Sequence, residues 1–231
     1  MLFNPQISPG DVIVVGDIHG RFDLFTDFLN HVRDSEASVV LLGDMIDRGP
    51  QDVEVLCRVK ELLDDPESWG LHSFYALMGN HELMMLTAAE DFSGQSIYHW
   101  VVNGGNLERR QEIFAHTEWV KELPLYMTVE DTMLIHAGFC PGHDPAKAVK
   151  EKKIQDLLWM RQPFLTLGPE FEKWSPNLKR VVFGHTPKGP LPYTIPGGGI
   201  CIDTGAYSTG ILTSYNLNKN TFWSYESDTH A

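Results

Sequence analysis

Positive charge is scarce in this sequence. Its 18 Lys and Arg stand against 31 Asp and Glu, a formal net charge of −13. That balance excludes broad nucleic-acid binding, which needs a basic face. Cysteine is scarce as well. Cys57, Cys140 and Cys201 are far apart, odd in number and form no C-x-x-C. Free thiols in a reducing cytosol are the reading, with Cys140, close after His136, expected to be a small buried hydrophobe. No apolar run approaches the length of a membrane span. The opening stretch MLFNPQISPG has no basic region and no long apolar part, so neither a signal peptide nor a membrane partner is expected. Internal repeats and low-complexity runs are missing, and no linker divides the chain. What remains is 42% hydrophobic and 21% charged, the balance of a soluble globular protein. The length of 231 residues is enough for one large core. The expectation is a single domain over 1–231, cytoplasmic and monomeric.

Against that background the stretch Val12 to Arg21, VIVVGDIHGR, stands out. Four apolar residues suit a buried strand and are too few for a helix. Gly16 ends the run, and Asp17 and His19 follow at a spacing that lets both face one spot. The pattern then recurs. Val39 to Leu42 ends in Gly43-Asp44-Met45-Ile46-Asp47-Arg48-Gly49, and Phe74 to Met78 ends in Gly79-Asn80-His81-Glu82. Met133 to Ile135 ends in His136-Ala137-Gly138, and Val181 to Phe183 ends in Gly184-His185-Thr186. Each cluster alone is a weak signal, since a polar turn after a strand is commonplace. Together they imply a shared site.

Between the clusters, Arg21 to Asp34 and Gln51 to Leu63 have helical spacing with one apolar face. Strand–helix–strand order predicts parallel pairing with a right-handed crossover. Helices are expected over Glu82 to Asp91, Ile97 to Asn103, Asn106 to Lys121 and Ala146 to Trp159. Those on either side of Gly104-Gly105 would form a cap near the site. Leu125 to Val129 should pair with Met133 to Ile135. Gly199 to Ile202, Ile211 to Tyr215 and Thr221 to Tyr225 are further strands, so mixed sheets are expected.

Asp17, His19, Asp44, Asn80, His136 and His185 offer mixed O and N ligands, too many for one tetrahedral structural zinc. They suit two adjacent five- or six-coordinate ions sharing one carboxylate. Two such ions, roughly 3.5–4 Å apart, can hold a bridging hydroxide and clamp an in-line phosphoryl displacement. A phosphate also needs its oxygens held, for which Arg48 and Arg161 are the candidates. His81 is placed to protonate a leaving alkoxide, with Asp47 to orient it. The lysines at 147, 150, 152 and 153 read as a solvated face.

The series GDIHG, GDMIDRG, GNHE, HAG and GHT resembles that of the calcineurin-like metallophosphoesterases. The DRG and GNHE forms narrow the likeness to the phosphoprotein phosphatase group, and to its short bacterial and lambda-type phage members. His99-Trp100-Val101-Val102-Asn103-Gly104-Gly105, Leu123-Pro124, Trp159-x-Arg161 and Ile202-Asp203-Thr204-Gly205-Ala206 also match, so the likeness runs from Asp11 to Thr213. It implies an α/β fold: a β-sandwich of two mixed sheets flanked by helices, with a dinuclear centre at the strand ends. It implies that Asp17, His19 and Asp44 bind one metal and that Asp44, Asn80, His136 and His185 bind the other. Arg48, Arg161 and Asn80 would hold the phosphate, and His81 with Asp47 would supply the proton. Two divalent ions are implied, Mn2+ by family habit, with Fe or Zn compatible with the same ligands. Gln162 to Leu165 and Phe171 to Asn177 match nothing with a known role. They are expected beside the pocket, where they would set substrate choice.

The leading function is hydrolysis of phosphoserine and phosphothreonine esters in proteins, with phosphotyrosine as an additional substrate. A symmetrical dinucleoside tetraphosphate hydrolase is the alternative, and a non-catalytic phosphate-binding scaffold is the alternative of another class. Among residues outside the motifs, His31, His116 and His230 read as surface groups. His99 lies close to the cap and is weighed as a pocket residue. Asp203 either steadies a ligand histidine or serves a turn, and Glu82 supports rather than reacts. Trp69, Trp119, Trp174 and Trp223 read as core or partly buried aromatics.

Overall fold

The apolar runs stop where the first sheet turns its strand ends toward one place. The structure, a computed structural model, describes residues 10–91 and 94–227; His230 lies outside them. β1 (Val12–Val15) leads to α1 (Phe22–Val32), β2 (Ser38–Leu41), α2 (Asp52–Asp64) and β3 (Ser73–Ala76). β1 pairs in parallel with β2, and β2 with β3, as crossover helices require. Side chains alternate between two cores. Ile13, Val15, Val39 and Leu41 pack with Phe25, Phe28 and Leu56 of the helices, while Val12, Val14, Val40 and Leu42 face the other way. Both faces are covered, which is why the strands read as unbroken apolar runs.

α3 (Asn80–Glu90) and α4 (Gln95–Val102) follow β3, then α5 (Arg110–Phe114) and α6 (Thr117–Val120). The helix expected over Asn106 to Lys121 is therefore two short ones. Ile113 and Val120 are both buried at a helical interval, so apolar spacing could not reveal the break. β4 (Tyr126–Val129) and β5 (Thr132–Ile135) form a hairpin. Next come α7 (Pro145–Lys150) and α8 (Gln155–Leu158) in place of one helix over Ala146 to Trp159. Lys152 adopts a left-handed φ of 59°, and the Lys153 N–H turns back to the Ala148 carbonyl, which closes the first helix.

The chain continues through α9 (Phe164–Leu167), β6 (Arg180–Phe183), β7 (Tyr193–Ile195), β8 (Gly199–Cys201), α10 (Ala206–Thr209), β9 (Ile211–Asn216) and β10 (Thr221–Glu226). β7 was not expected: it is a three-residue edge strand without an apolar run. The first sheet has the order β10-β9-β1-β2-β3 and the second β4-β5-β6-β8-β7, both mixed. They face each other across Val14, Val40 and Leu42 on one side and Leu134, Val182 and Ile202 on the other. The outer face of the second sheet is covered by Phe139, Phe164 and Phe171. The expected sandwich of two mixed sheets flanked by helices is thus present. Cys140 departs from expectation. It is exposed, because the preceding Phe139 takes the buried place.

Candidate active site

Every motif residue leaves the carboxyl end of a strand. Asp17 and His19 follow β1, Asp44, Asp47 and Arg48 follow β2, and Asn80 and His81 open α3 just beyond β3. His136 follows β5 and His185 follows β6, so both sheets contribute. The turns that aim these side chains are strained. His19, Asp44, Asp47, Arg48 and His185 have φ values of 48°, 48°, 70°, 70° and 66°, a region non-glycine residues rarely enter. Glu82 holds much of this in place. Its carboxylate accepts from the backbone N–H groups of Asp44, Met45 and Gly79, each at 2.8 Å. Burial, followed by the Asp44 charge, pushes its carboxyl up to about 7. Gly79 is required there, since a Cβ would fall 2.2 Å from Asp44 Oδ1.

Asp44 is at the centre. Its carboxylate lies 3.6 Å from His19 Nε2, 3.9 Å from His81 Nε2 and 3.4 Å from His136 Nε2. Two groups of three metal-capable residues share it: His19, Asp44 and His81, and Asp44, His136 and His185. Asp17 belongs to neither trio. It borders them, with Oδ2 accepting the His185 backbone N–H at 3.0 Å. Asn80 Oδ1 stands 3.0 Å from His136 Nε2.

The donor chemistry fits divalent cations. His19 Nδ1 faces the Ile46 carbonyl at 2.9 Å and His136 Nδ1 faces the Leu42 carbonyl at 3.0 Å. Each ring therefore donates from Nδ1 and presents the Nε2 lone pair to the cluster. Burial pushes His19 down to about 3 and lowers His136 and His185 as well, so all three rings are neutral. Burial works against the charge on Asp44, but the imidazoles that converge on it, His81 raised among them, hold its carboxyl far below the ordinary carboxylate range. Asp17 is raised by burial and then by the charges of Asp203 and Asp44. Asp17 Oδ1, His81 Nε2 and His185 Nε2 are buried without a hydrogen-bond partner. Crowded carboxylates and lone pairs aimed at one space are what a cation resolves.

Beside the cluster, His81 Nδ1 meets Asp47 Oδ2 at 2.7 Å, and both side chains are fully buried. Sequence reasoning named this pair and missed what holds it. Trp100 Nε1 donates to the Asp47 carboxylate, and the Asp47 backbone N–H donates to Asp52 Oδ1 at 2.8 Å. Arg48 is exposed, with Nη1 2.8 Å from His19 Nε2 and its guanidinium 4.8 Å from the Tyr207 ring. Arg161 is also exposed. Its charge adds to the burial that keeps His136 and His185 neutral. Tyr207 was not singled out either, although it follows directly on the matched stretch ending at Ala206.

Other expectations sort unevenly. Asp203 accepts the Gly205 N–H at 2.8 Å and interacts with Asp17, so it serves a turn and a carboxylate. His99 is exposed in a groove of about 700 Å³ shared with Met84, Gln155 and Trp159. In the unmatched segments Phe164 and Phe171 are core, while Gln162 is exposed and accepts from Thr166 Oγ1. His116 is half-buried rather than a surface group, and accepts from Trp119 Nε1.

Comparison with known proteins adds to this geometry. The family described as Calcineurin-like phosphoesterase matches residues 10–214. Serine/threonine-protein phosphatase 2 of Salmonella typhimurium is 31% identical over 219 residues, covering 88% of this chain and 91% of that protein. The symmetrical bis(5'-nucleosyl)-tetraphosphatase of Nitrosospira multiformis is 30% identical over 133 residues, covering 57% of this chain and 44% of its own. Among solved structures, one described as a candidate diadenosine tetraphosphatase superposes with a TM-score of 0.68 at 20% identity, covering 98% of both chains. That likeness speaks for the fold alone. Strand ends from two sheets that converge on shared carboxylate and imidazole donors, in a sequence matched along nearly its whole length, place this chain in the calcineurin-like phosphoesterases, within the phosphoprotein phosphatase group of metal-dependent hydrolases.

Proposed function

We propose that the chain is a serine/threonine protein phosphatase that also accepts phosphotyrosine, working as a single cytoplasmic domain and a monomer. The observation that carries this reading is the buried His81–Asp47 pair beside the donor cluster. An alkoxide is a poor leaving group and needs a proton as its bond to phosphorus breaks. The phosphate leaving group of a dinucleoside polyphosphate has far less need of one. Likeness to a protein phosphatase over 88% of this chain and 91% of the relative supports the same choice.

Asp17, His19 and Asp44 would hold one divalent ion, and Asp44, Asn80, His136 and His185 the other. Asp17 takes its place through the unpartnered Oδ1. His81 is assigned to proton transfer because, against the effect of its burial, the Asp44 charge and the Asp47 carboxylate at Nδ1 raise it above the ordinary imidazole range, so Nε2 carries a proton to give. The ions, Mn2+ in this reading, supply positive charge and acidify the attacking water. Arg48 and Arg161 grip the phosphate oxygens, with Asn80 beside them, and His81 Nε2 gives its proton to the leaving oxygen. Attack in line with that oxygen inverts phosphorus in one step, without a phosphoenzyme.

A tetraphosphatase of the symmetrical kind is the second reading, favoured by the Nitrosospira multiformis relative. The test is product release by the Mn2+-loaded protein from a phosphoserine peptide and from diadenosine tetraphosphate, with Asp44→Asn as the blank. Preference for the peptide is expected. Preference for the dinucleotide, giving two ADP, overturns the substrate. Inactivity on both would favour a scaffold, and a trapped phosphoenzyme would defeat the single-step mechanism.

A further inference from the structure

Trp100 is among the largest fully buried side chains, yet its indole is not used for packing alone. Nε1–H lies 2.9 Å from Asp47 Oδ1 and 3.0 Å from Oδ2. Oδ2 of the same carboxylate also meets His81 Nδ1 at 2.7 Å. A carboxylate with one partner can swivel about its Cβ–Cγ bond. One whose two oxygens are both bridged by an indole N–H while one also meets an imidazole is restrained. The turn after α4 then reaches the next residue, because the Arg48 N–H donates to the Gly104 carbonyl at 3.0 Å. Gly105 lies flat against the indole: a Cβ there would fall 2.3–2.6 Å from three ring atoms. The end of α4 and the turn after it therefore hold two consecutive residues of left-handed backbone, Asp47 and Arg48.

We propose that Trp100, seated by Gly105, is a positioning residue for leaving-group protonation. It fixes the Asp47 carboxylate, which fixes the His81 ring and keeps Nε2–H directed at the leaving oxygen. This rests on the phosphoester reading given above. In the step concerned, the bond from phosphorus to the leaving oxygen breaks, the Nε2 proton passes to that oxygen, and His81 is left neutral. Trp100 acts through the Asp47 carboxylate. Its removal should matter in proportion to how badly the leaving group needs the proton.

The experiment compares kcat on a phosphoserine peptide with kcat on p-nitrophenyl phosphate, whose phenolate leaves with little help. Trp100→Phe keeps a buried ring and removes the N–H. Gly105→Ala keeps the indole and displaces it. In both variants, with folding checked by thermal melting, the loss on the peptide should exceed the loss on the aryl ester about tenfold or more. In an Asp47→Asn background, Trp100→Phe should cost less than about twofold further, because the two act as a unit. The Trp100 indole N–H resonance should also move in Asp47→Asn while the other tryptophans stay in place. Equal losses on the two esters, additive losses in the double variant, or an unmoved indole resonance would overturn the proposal. A wild-type protein inactive on both esters fails earlier and differently, since it removes the phosphoester reading itself.

Discussion

Asp52 begins α2 with its carboxylate buried and Oδ1 receiving the Asp47 N–H at 2.8 Å. Burial, then the charge of Asp47, pushes its carboxyl from 3.8 up to about 7. Between those values the folded protein holds a proton that the unfolded chain has released, so stability falls as pH rises through that window. The slope is at most about 1.4 kcal/mol per pH unit. Asp52→Asn keeps an acceptor for the Asp47 N–H and cannot ionise. Its melting temperature should gain on the wild type from pH 4 to pH 7 and hold a constant lead above. Parallel curves would show that Asp52 stays ionised in the fold. The motif residues were legible because each sits in a short cluster after an apolar run. Asp52 and Tyr207 were not, nor was the role of Trp100 within its matched stretch, for they act on residues already named. Trp100 reaches Asp47 across 53 positions of sequence, and Asp52 looks like any acidic residue in a first helical turn.

At the scale of elements, short turns between strand ends and helix starts decide the geometry. Gly79 separates β3 from α3, and a Cβ there would meet Asp44 Oδ1 at 2.2 Å and Asp44 N at 2.4 Å. Gly79→Ala should therefore displace Asp44 and weaken Mn2+ binding by about ten- to a hundredfold, measured by calorimetric titration. Gly94→Ala, with nothing among the described residues within 4 Å of the added carbon, should cost only backbone strain of about 1 kcal/mol and leave Mn2+ affinity unchanged. Equal weakening in both would mean that the turn does not position Asp44. The long helices and the core strands were readable because their apolar periods are unbroken. The breaks at His116 and Lys152 were not, since Ile113 and Val120 share one core, and Val149 and Leu157 share another. β7 was unreadable because its order comes from antiparallel pairing with β8 and not from its own composition.

For the whole molecule, the decisive feature is that the donors come from both sheets. Asp17, His19, Asp44 and Asn80 leave the first, and His136 and His185 leave the second. Sequence periods foretold mixed sheets, but which strands belong to which sheet depends on long-range pairing that no local pattern records. A cation bound across the join should stabilise the fold as a whole. Mn2+ at a hundredfold excess over its dissociation constant adds about 2.7 kcal/mol, so melting temperature should climb with Mn2+ and drop with a chelator. Asp44→Asn should flatten that response, and a wild type indifferent to both additions would contradict it. The backbone contact between His185 and Asp17 spans 168 positions of sequence. On a translating ribosome, then, Asp17 must wait for 168 further residues before its partner exists, and the donor cluster cannot close until that much more chain has been made.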